Sequence, residues 1–379
     1  MSINYNACPS PSFVLEEARL RKNLVLLQHV QQEADISIIL ALKAFAMWKV
    51  FPLVGQYLSG ATASSLHEAR LIFEEMGVKA HTYSPAYIPR ELEELLGYSS
   101  HITFNSIQEY ERHRAQLEAF PSKVSPGIRV NPEYSTVETD LYNPAVPGSR
   151  LGEMVDAFGG KLPDGVEGLH FHTLCESGAE DLEKLLAAFE QRFGHFIPQL
   201  KWVNFGGGHL ITRKDYNVPL LIKLLRDFRA RYGVEVIMEP GSAVAWETGV
   251  LVASVLDIIE SGGTKTAILD VSFTAHMPDT LEMPYRPVIE GASDPVENRP
   301  SYRLGGISCL AGDYLEEYGF ENELQVGDRV IMKDMIHYTM VKTNHFNGVL
   351  HPSICIRKED GNLEVVRTFT YEDYKNRLS

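Results

Sequence analysis

Four stretches of this chain carry residue types at spacings suited to joint chemistry. They are Lys43 at the end of an apolar run, Gly168-Leu-His-Phe-His172, Asn204-Phe-Gly-Gly-Gly-His209 and Glu239-Pro-Gly-Ser242. Six of the seven residues from 36 to 42 are apolar and the run is rich in β-branching, which predicts a strand buried on both faces. Lys43 stands where that strand reaches its carboxyl end. Desolvation of an ammonium there lowers its pKa toward that of a usable amine, as a Schiff-base enzyme needs. A lysine snorkelling out of a strand end fits the same stretch. Gly206, Gly207 and Gly208 let the backbone present successive N–H groups to a phosphate, or simply make a tight turn. Glu239 follows a buried run and precedes Pro-Gly, so it is either a structural cap or the partner of a cation. His170 and His172 alternate in a strand and share one side. A ring lying on a flat cofactor, a metal pair and two hydrogen-bonded core histidines all fit that spacing.

Taken together, the four pieces make a receptor for pyridoxal 5'-phosphate. A lysine amine meets the aldehyde, glycine backbone holds the phosphate, a carboxylate keeps the ring nitrogen protonated and an imidazole stacks on the ring. No metal or nucleotide site accounts for all four, so no metal is expected.

The elements that must position these groups alternate along the chain. A short strand at 13–15 leads into an amphipathic helix over 16–33 with Leu20, Leu24, Leu27 and Val30 on one face. Strands are predicted at 36–42, 58–63, 79–83, 101–104, 127–130, 165–172, 201–205 and 234–238, separated by helical stretches such as 64–76 (capped by Ser64 or Ser65), 106–117, 179–193 and 215–232. Eight βα repeats favour a closed (β/α)8 TIM-type barrel, with chemistry at the carboxyl ends of its strands. After about residue 245 the texture turns strand-rich, with segments at 249–259, 266–271, 301–305, 329–332 and 349–356. The expected domains are a cofactor-binding barrel over 15–245 and a β-rich, sandwich- or barrel-like domain over 246–379. The latter is joined by 1–14 and completes the site and a dimer interface.

A length of 379 residues agrees with about two domains at ~150 residues each. The net charge of −15 argues against nucleic acid or an anionic membrane surface and is compatible with a cationic small molecule. No apolar run approaches ~18 residues and the amino terminus lacks a basic-then-apolar signal, so neither a membrane span nor a leader is expected. Cys8, Cys175, Cys309 and Cys355 lie far apart and are expected to be thiols in a cytoplasmic enzyme.

Ten motifs then stand in one order: Pro11-Ser-Phe-Val, Ala41-Leu-Lys43-Ala, Ala63-Ser64, Arg129-Val-Asn-Pro132, Ser149-Arg-Leu-Gly152, Gly168-Leu-His-Phe-His172, Phe205-Gly-Gly-Gly208, Glu239-Pro-Gly241, Gly306-Ile-Ser-Cys309 and Phe346-Asn-Gly348. Over nearly the whole chain this series resembles the alanine-racemase-fold pyridoxal-phosphate decarboxylases, the group of ornithine, diaminopimelate and carboxynorspermidine decarboxylases. The resemblance implies Lys43 as the Schiff-base lysine, His172 stacking on the ring, Gly206 to Gly208 at the phosphate and Glu239 at the ring nitrogen. It also implies Tyr338 as a phosphate ligand, Cys309 as a proton donor delivered from the partner subunit, and a homodimer with shared active sites.

Two departures narrow the substrate. Ser242 stands where the family commonly has arginine, which counts against the remote carboxylate of diaminopimelate. Leu310-Ala-Gly312 intervene between Cys309 and Asp313, where ornithine decarboxylases place an acid directly after the cysteine. Short length and the loop over 274–285 look most like the carboxynorspermidine (carboxyspermidine) decarboxylases. Glu239, Asp279 and Asp313, with Glu282, would then meet a cationic carboxylated polyamine; a solvated acidic loop is the plain alternative for Asp279 and Glu282. The expected reaction removes CO2 to leave norspermidine or spermidine in polyamine biosynthesis. The alternatives are decarboxylation of diaminopimelate, ornithine or lysine, a racemase of the same fold, and a metal-dependent barrel hydrolase using His170 and His172. A racemase generally places a cation at the ring nitrogen, against Glu239.

Overall fold

The computed structural model describes residues 5–282 and 285–379; positions 283 and 284 of the 274–285 loop lie outside the described residues. The chain divides into two compact units. One is Lys22–Val244; the other joins the residues up to Arg21 to Ala245–Ser379.

The first unit is the parallel barrel. Its strand segments are Ser37–Ile38, Leu40–Ala41, Ala61–Ala63, Ala80–Tyr83, Ser99–Phe104, Ser125–Arg129, Gly168–His170, Trp202–Asn204 and Glu235–Met238. The first two are successive stretches of the predicted 36–42 run. Ser37–Ile38 pairs with Glu235–Met238, and Leu40–Ala41 pairs with Ala61–Ala63. One extended run therefore has neighbours on both sides, and the eight-stranded ring closes as the βα alternation predicts. Strand Gly168–His170 is shorter than the predicted 165–172, so His172 lies beyond its end. The helix Leu92–Tyr98 was not among the predicted elements; its seven residues are too few to show helical periodicity.

Local chemistry sets the helix starts. The Ser65 hydroxyl accepts the Glu68 N–H at 3.2 Å while Glu68 accepts the Ser64 N–H at 2.6 Å, which starts helix Leu66–Met76. Asn217 caps Val218–Tyr232, and that helix stops at Gly233 with φ +68°. Inside the ring, Trp202 packs with Ile39 and Ile237. A Cβ on Gly168 would stand 2.1 Å from the Trp202 ring and one on Gly127 2.3 Å away, so two glycines give the indole its bed. Trp202 begins its strand and Asn204 ends it, so this apolar plug lies on the amino side of the strand ends that carry the chemistry.

The second unit is a mixed sheet. Its order is Ala292–Ser293, Tyr314–Phe320, Ser301–Gly305, Thr264–Leu269, Gly249–Ser261, Ser12–Glu16, Ser353–Arg357 and Leu363–Arg367, with Arg329–Lys333 also on Gly249–Ser261. The amino-terminal strand Ser12–Glu16 is buried throughout, antiparallel to Gly249–Ser261 and parallel to Ser353–Arg357. Val14, Val250, Val252, Ile331 and Cys355 form its core. Three strands escaped the sequence reading, and the first of them, Ala292–Ser293, has only two residues. Glu316-Glu317 interrupts the apolar alternation of Tyr314–Phe320, and Leu363–Arg367 is an edge strand with no buried face to leave a pattern. No helix among the described residues is long and apolar enough to cross a membrane.

Candidate active site

Lys43 sits in the turn that follows Leu40–Ala41, where the Ala44 and Phe45 N–H groups both donate to the Ala41 carbonyl. A Cβ on Gly241 would lie 2.5 Å from the Ala44 methyl, so the Pro-Gly after Glu239 lets this turn pack against the end of the last strand. The Lys43 side chain is exposed at the barrel's carboxyl end, yet the surrounding protein strips water from its amine. That desolvation lowers its pKa, the Arg129 charge lowers it further, and Glu239 opposes both.

Its nearest polar neighbour is His172, with Nζ 3.4 Å from Nε2. The Gly207 N–H donates to His172 Nδ1 at 2.7 Å. An accepting Nδ1 in a neutral ring leaves the proton on Nε2, facing the lysine. Burial first, and the Lys43 and Arg129 charges after it, hold His172 well below the usual imidazole range. A lysine amine of lowered pKa facing an imidazole N–H is readied to act as a nucleophile.

Glu239 is the buried carboxylate of the site. Asn204 Nδ2 donates to its Oε1 at 2.7 Å, while Asn204 Oδ1 accepts the Gly206 N–H at 2.8 Å. The Glu239 N–H donates to the Gly206 carbonyl at 2.7 Å. One asparagine thus ties the carboxylate to the glycine turn. Burial raises the Glu239 pKa, and the Asn204 hydrogen bond, Lys43, the Thr62 hydroxyl and Arg129 pull it back. Arg129, at the end of Ser125–Arg129, is itself buried. Its Nη2 donates to the His172 carbonyl at 3.0 Å and its guanidinium lies 4.6 Å from the centre of the Tyr83 ring.

The glycine turn admits no side chains. A Cβ would meet the Phe171 carbonyl at 2.5 Å from Gly206, the Glu239 carbonyl at 2.4 Å from Gly207 and the Leu174 carbonyl at 2.0 Å from Gly208; Gly206 and Gly208 also have φ of +66° and +89°. The expected run of three free N–H groups is revised, because Gly206 and Gly207 spend theirs on Asn204 and His172. The Gly208 N–H has no partner among the described residues. The residues fit pyridoxal 5'-phosphate. Backbone that no Cβ may approach, a nearby amine of lowered pKa, a buried carboxylate and an unpartnered buried imidazole, His170, together meet its demands. An unpaired buried polar atom costs about 1–3 kcal/mol, which a protein seldom tolerates without use.

The remaining expected site residues lie in the second unit. Cys309 is exposed on the loop after Ser301–Gly305, and its N–H donates to Asn347 Oδ1 at 2.7 Å. Asp313 was expected to meet substrate amines, but it is buried and its oxygens are committed. Oδ1 accepts the Phe273 and Thr274 N–H groups at 2.7 and 3.1 Å, and Oδ2 accepts the Ser308 N–H at 3.1 Å. Its carbonyl takes the Gly306 N–H at 2.6 Å, and a Cβ on Gly306 would strike its carboxylate at 2.4 Å. Asp313 shapes the Cys309 loop. Asp279 and Glu282 share Lys342, the latter at 3.1 Å. Tyr338 has φ +48° in the segment after Arg329–Lys333, a conformation uncommon outside glycine.

The strand ends thus gather Lys43, His172, Gly206 to Gly208 and Glu239. Arg129 and Asn204 belong with them although the sequence reading gave them no role. Each stands one residue before the end of a predicted strand (127–130 and 201–205) within a quoted motif, and that position was the available signal.

A family model described as pyridoxal-dependent decarboxylase, C-terminal sheet domain, matches residues 14–336. A carboxyaminopropylagmatine decarboxylase of Synechocystis sp. is 51% identical, covering 98% of this chain and 96% of that protein. A carboxynorspermidine/carboxyspermidine decarboxylase of Campylobacter jejuni is 44% identical, covering 98% and 99%. The crystal structure of a Campylobacter jejuni carboxynorspermidine decarboxylase complexed with norspermidine superposes with a TM-score of 0.90 at 43% identity, over 97% of this chain and 99% of that one. Matched over most of its length by the model and by these relatives, the chain belongs to the pyridoxal-dependent decarboxylase family.

Proposed function

We propose that this enzyme is a pyridoxal-phosphate-dependent carboxy-lyase that removes the α-carboxylate of carboxynorspermidine or carboxyspermidine. The observation that carries the reading is one ring of strand ends holding a Lys43 amine of lowered pKa, the His172 ring 3.4 Å from it, and a buried carboxylate tied to the glycine turn. When bound, pyridoxal 5'-phosphate supplies an electron sink for the pair released at Cα. Lys43 presents its amine to the cofactor's aldehyde carbon. Glu239 holds a proton on the ring nitrogen, His172 covers a ring face, and the glycine turn with Tyr338 holds the phosphate. Cys309 of the partner subunit delivers, from Sγ, the proton that replaces the lost carboxylate.

Ile307, Leu310 and Phe346 stand exposed around Cys309, an apolar rim that supports a homodimer in which a second copy covers this loop and shares the site. Four unpaired cysteines support a reducing, cytoplasmic setting. A substrate amine reaching Asp279 must displace Lys342.

A second reading comes from the Synechocystis relative, named for a carboxylated agmatine derivative. That substrate shares the amino-acid head and ends in guanidinium instead of ammonium. CO2 release from carboxynorspermidine, carboxyspermidine, carboxyaminopropylagmatine, ornithine, lysine and diaminopimelate separates the readings. The highest kcat/KM is expected on a carboxylated polyamine. Preference for the guanidinium compound selects the second reading, and preference for diaminopimelate or ornithine overturns both.

Replacing Cys309 with alanine is expected to lower kcat about 100- to 1000-fold with the cofactor retained. Absorbance of the purified variant checks retention. Undiminished turnover removes the thiol from the mechanism.

A further inference from the structure

His170 ends its barrel strand two residues before His172 and is 2% exposed, with neither ring nitrogen in a hydrogen bond. Its Nε2 lies 3.5 Å from Glu239 Oε2, at the outer limit of such a bond. Tyr83 packs edge-on against the ring, with centroids 5.5 Å apart and planes at 80°. Burial holds the imidazole well below its usual pKa, and the nearby Arg129, Lys43 and His81 act in the same direction. The ring is therefore neutral, with a single N–H to place. On Nδ1 it would leave the Nε2 lone pair facing a carboxylate oxygen. On Nε2 it meets that oxygen as a donor.

We infer that His170 is a positioning residue whose Nε2–H faces Glu239 Oε2 across 3.5 Å, a charge–dipole contact that with the Asn204 hydrogen bond on Oε1 keeps the carboxylate ionised and aimed at the cofactor's ring nitrogen. The inference rests on the proposed function, because it assigns Glu239 to that nitrogen. The groups facing Glu239 are Lys43 and Arg129 as cations, Asn204 and Thr62 as neutral donors, and His170. Burial works against the carboxylate's charge, so each donor matters. With the His170 donor gone, Glu239 keeps its proton to higher pH and cannot balance a protonated pyridine. This role differs from that of His172, which touches the amine and the glycine turn.

The test uses the holoenzyme with His170→Phe, His170→Gln and Lys43→Ala prepared in parallel. Phenylalanine keeps the ring volume and removes the donor; glutamine returns an N–H near the Nε2 position. For His170→Phe, kcat is expected to fall about 10- to 100-fold while KM changes less than about threefold. The acid limb of its kcat profile should move to higher pH, and apo protein should bind pyridoxal phosphate more weakly in an equilibrium titration. His170→Gln should recover most of the kcat and return the acid limb toward its wild-type position. Wild-type kcat with an unmoved acid limb in His170→Phe overturns the inference. Equal impairment of both variants with the limb unmoved also overturns it, since that is the mark of packing alone. Lys43→Ala reports on the reading beneath. If it still releases CO2, the proposed function fails and this inference falls with it, whereas an inactive Lys43→Ala beside an unaffected His170→Phe sinks the inference only.

Discussion

Lys43→Ala is expected to lower CO2 release by at least about 1000-fold, because the amine that meets the cofactor's aldehyde is gone and no other group stands in its place. The nearest polar neighbour, His172 Nε2 at 3.4 Å, is an imidazole whose proton faces the lysine; it has no lone pair to offer there. The variant should fold normally. The side chain lies exposed at the strand ends, while the turn is held by Ala41, Ala44 and Gly241. Borohydride reduction followed by mass spectrometry reads the covalent link directly. Wild-type protein should retain the cofactor's added mass and the variant should lose it, with Tm nearly unchanged. A variant that keeps both the adduct and its turnover would falsify the assignment of Lys43.

Glu239→Gln is expected to lower kcat about 100- to 1000-fold with little change in KM. Glutamine keeps the volume and can still accept the Asn204 amide through its oxygen, which now accepts at 2.7 Å. It cannot hold a negative charge against a protonated ring nitrogen, so the electron sink weakens while the receptor survives. The sign of the pH effect follows from burial. The wild-type Glu239 pKa is raised, so kcat should decline on the acid side at a pH above the ordinary carboxylate range, as the carboxylate takes up its proton. Glu239→Gln should lose that acid limb. Turnover within about threefold of wild type would show that the carboxylate does not set the ring's electronics.

Much of the barrel was legible because its signals are local. The apolar run over 36–42 names a strand through side-chain type alone, and Lys43 marks its end. Ser65 with Glu68 writes a helix start within four residues, since cap and backbone N–H groups are neighbours in the chain. The family's motif order was legible for the same reason. Other features were not. The edge strand Leu363–Arg367 has no buried face to leave a pattern. Asp313 was expected to meet a substrate amine, yet it spends its oxygens on three N–H groups of which two, on Phe273 and Thr274, lie far back in the chain. Lys342, to which the sequence assigned no role, is set by the fold between Asp279 and Glu282.

The order of residues along the chain was enough to give a βα alternation, a lysine closing a buried strand and a carboxylate before Pro-Gly, since periodicity and steric limits act between near neighbours. Ring closure decided which charges share one poorly solvated space. It set Arg129 to depress the Lys43 pKa, Asn204 to bridge Glu239 and Gly206, and His170 against Glu239 with its ring nitrogens otherwise unpaired. Such groups come from different strands, and their energies depend on distance and on excluded water, which exist only once the strands have met.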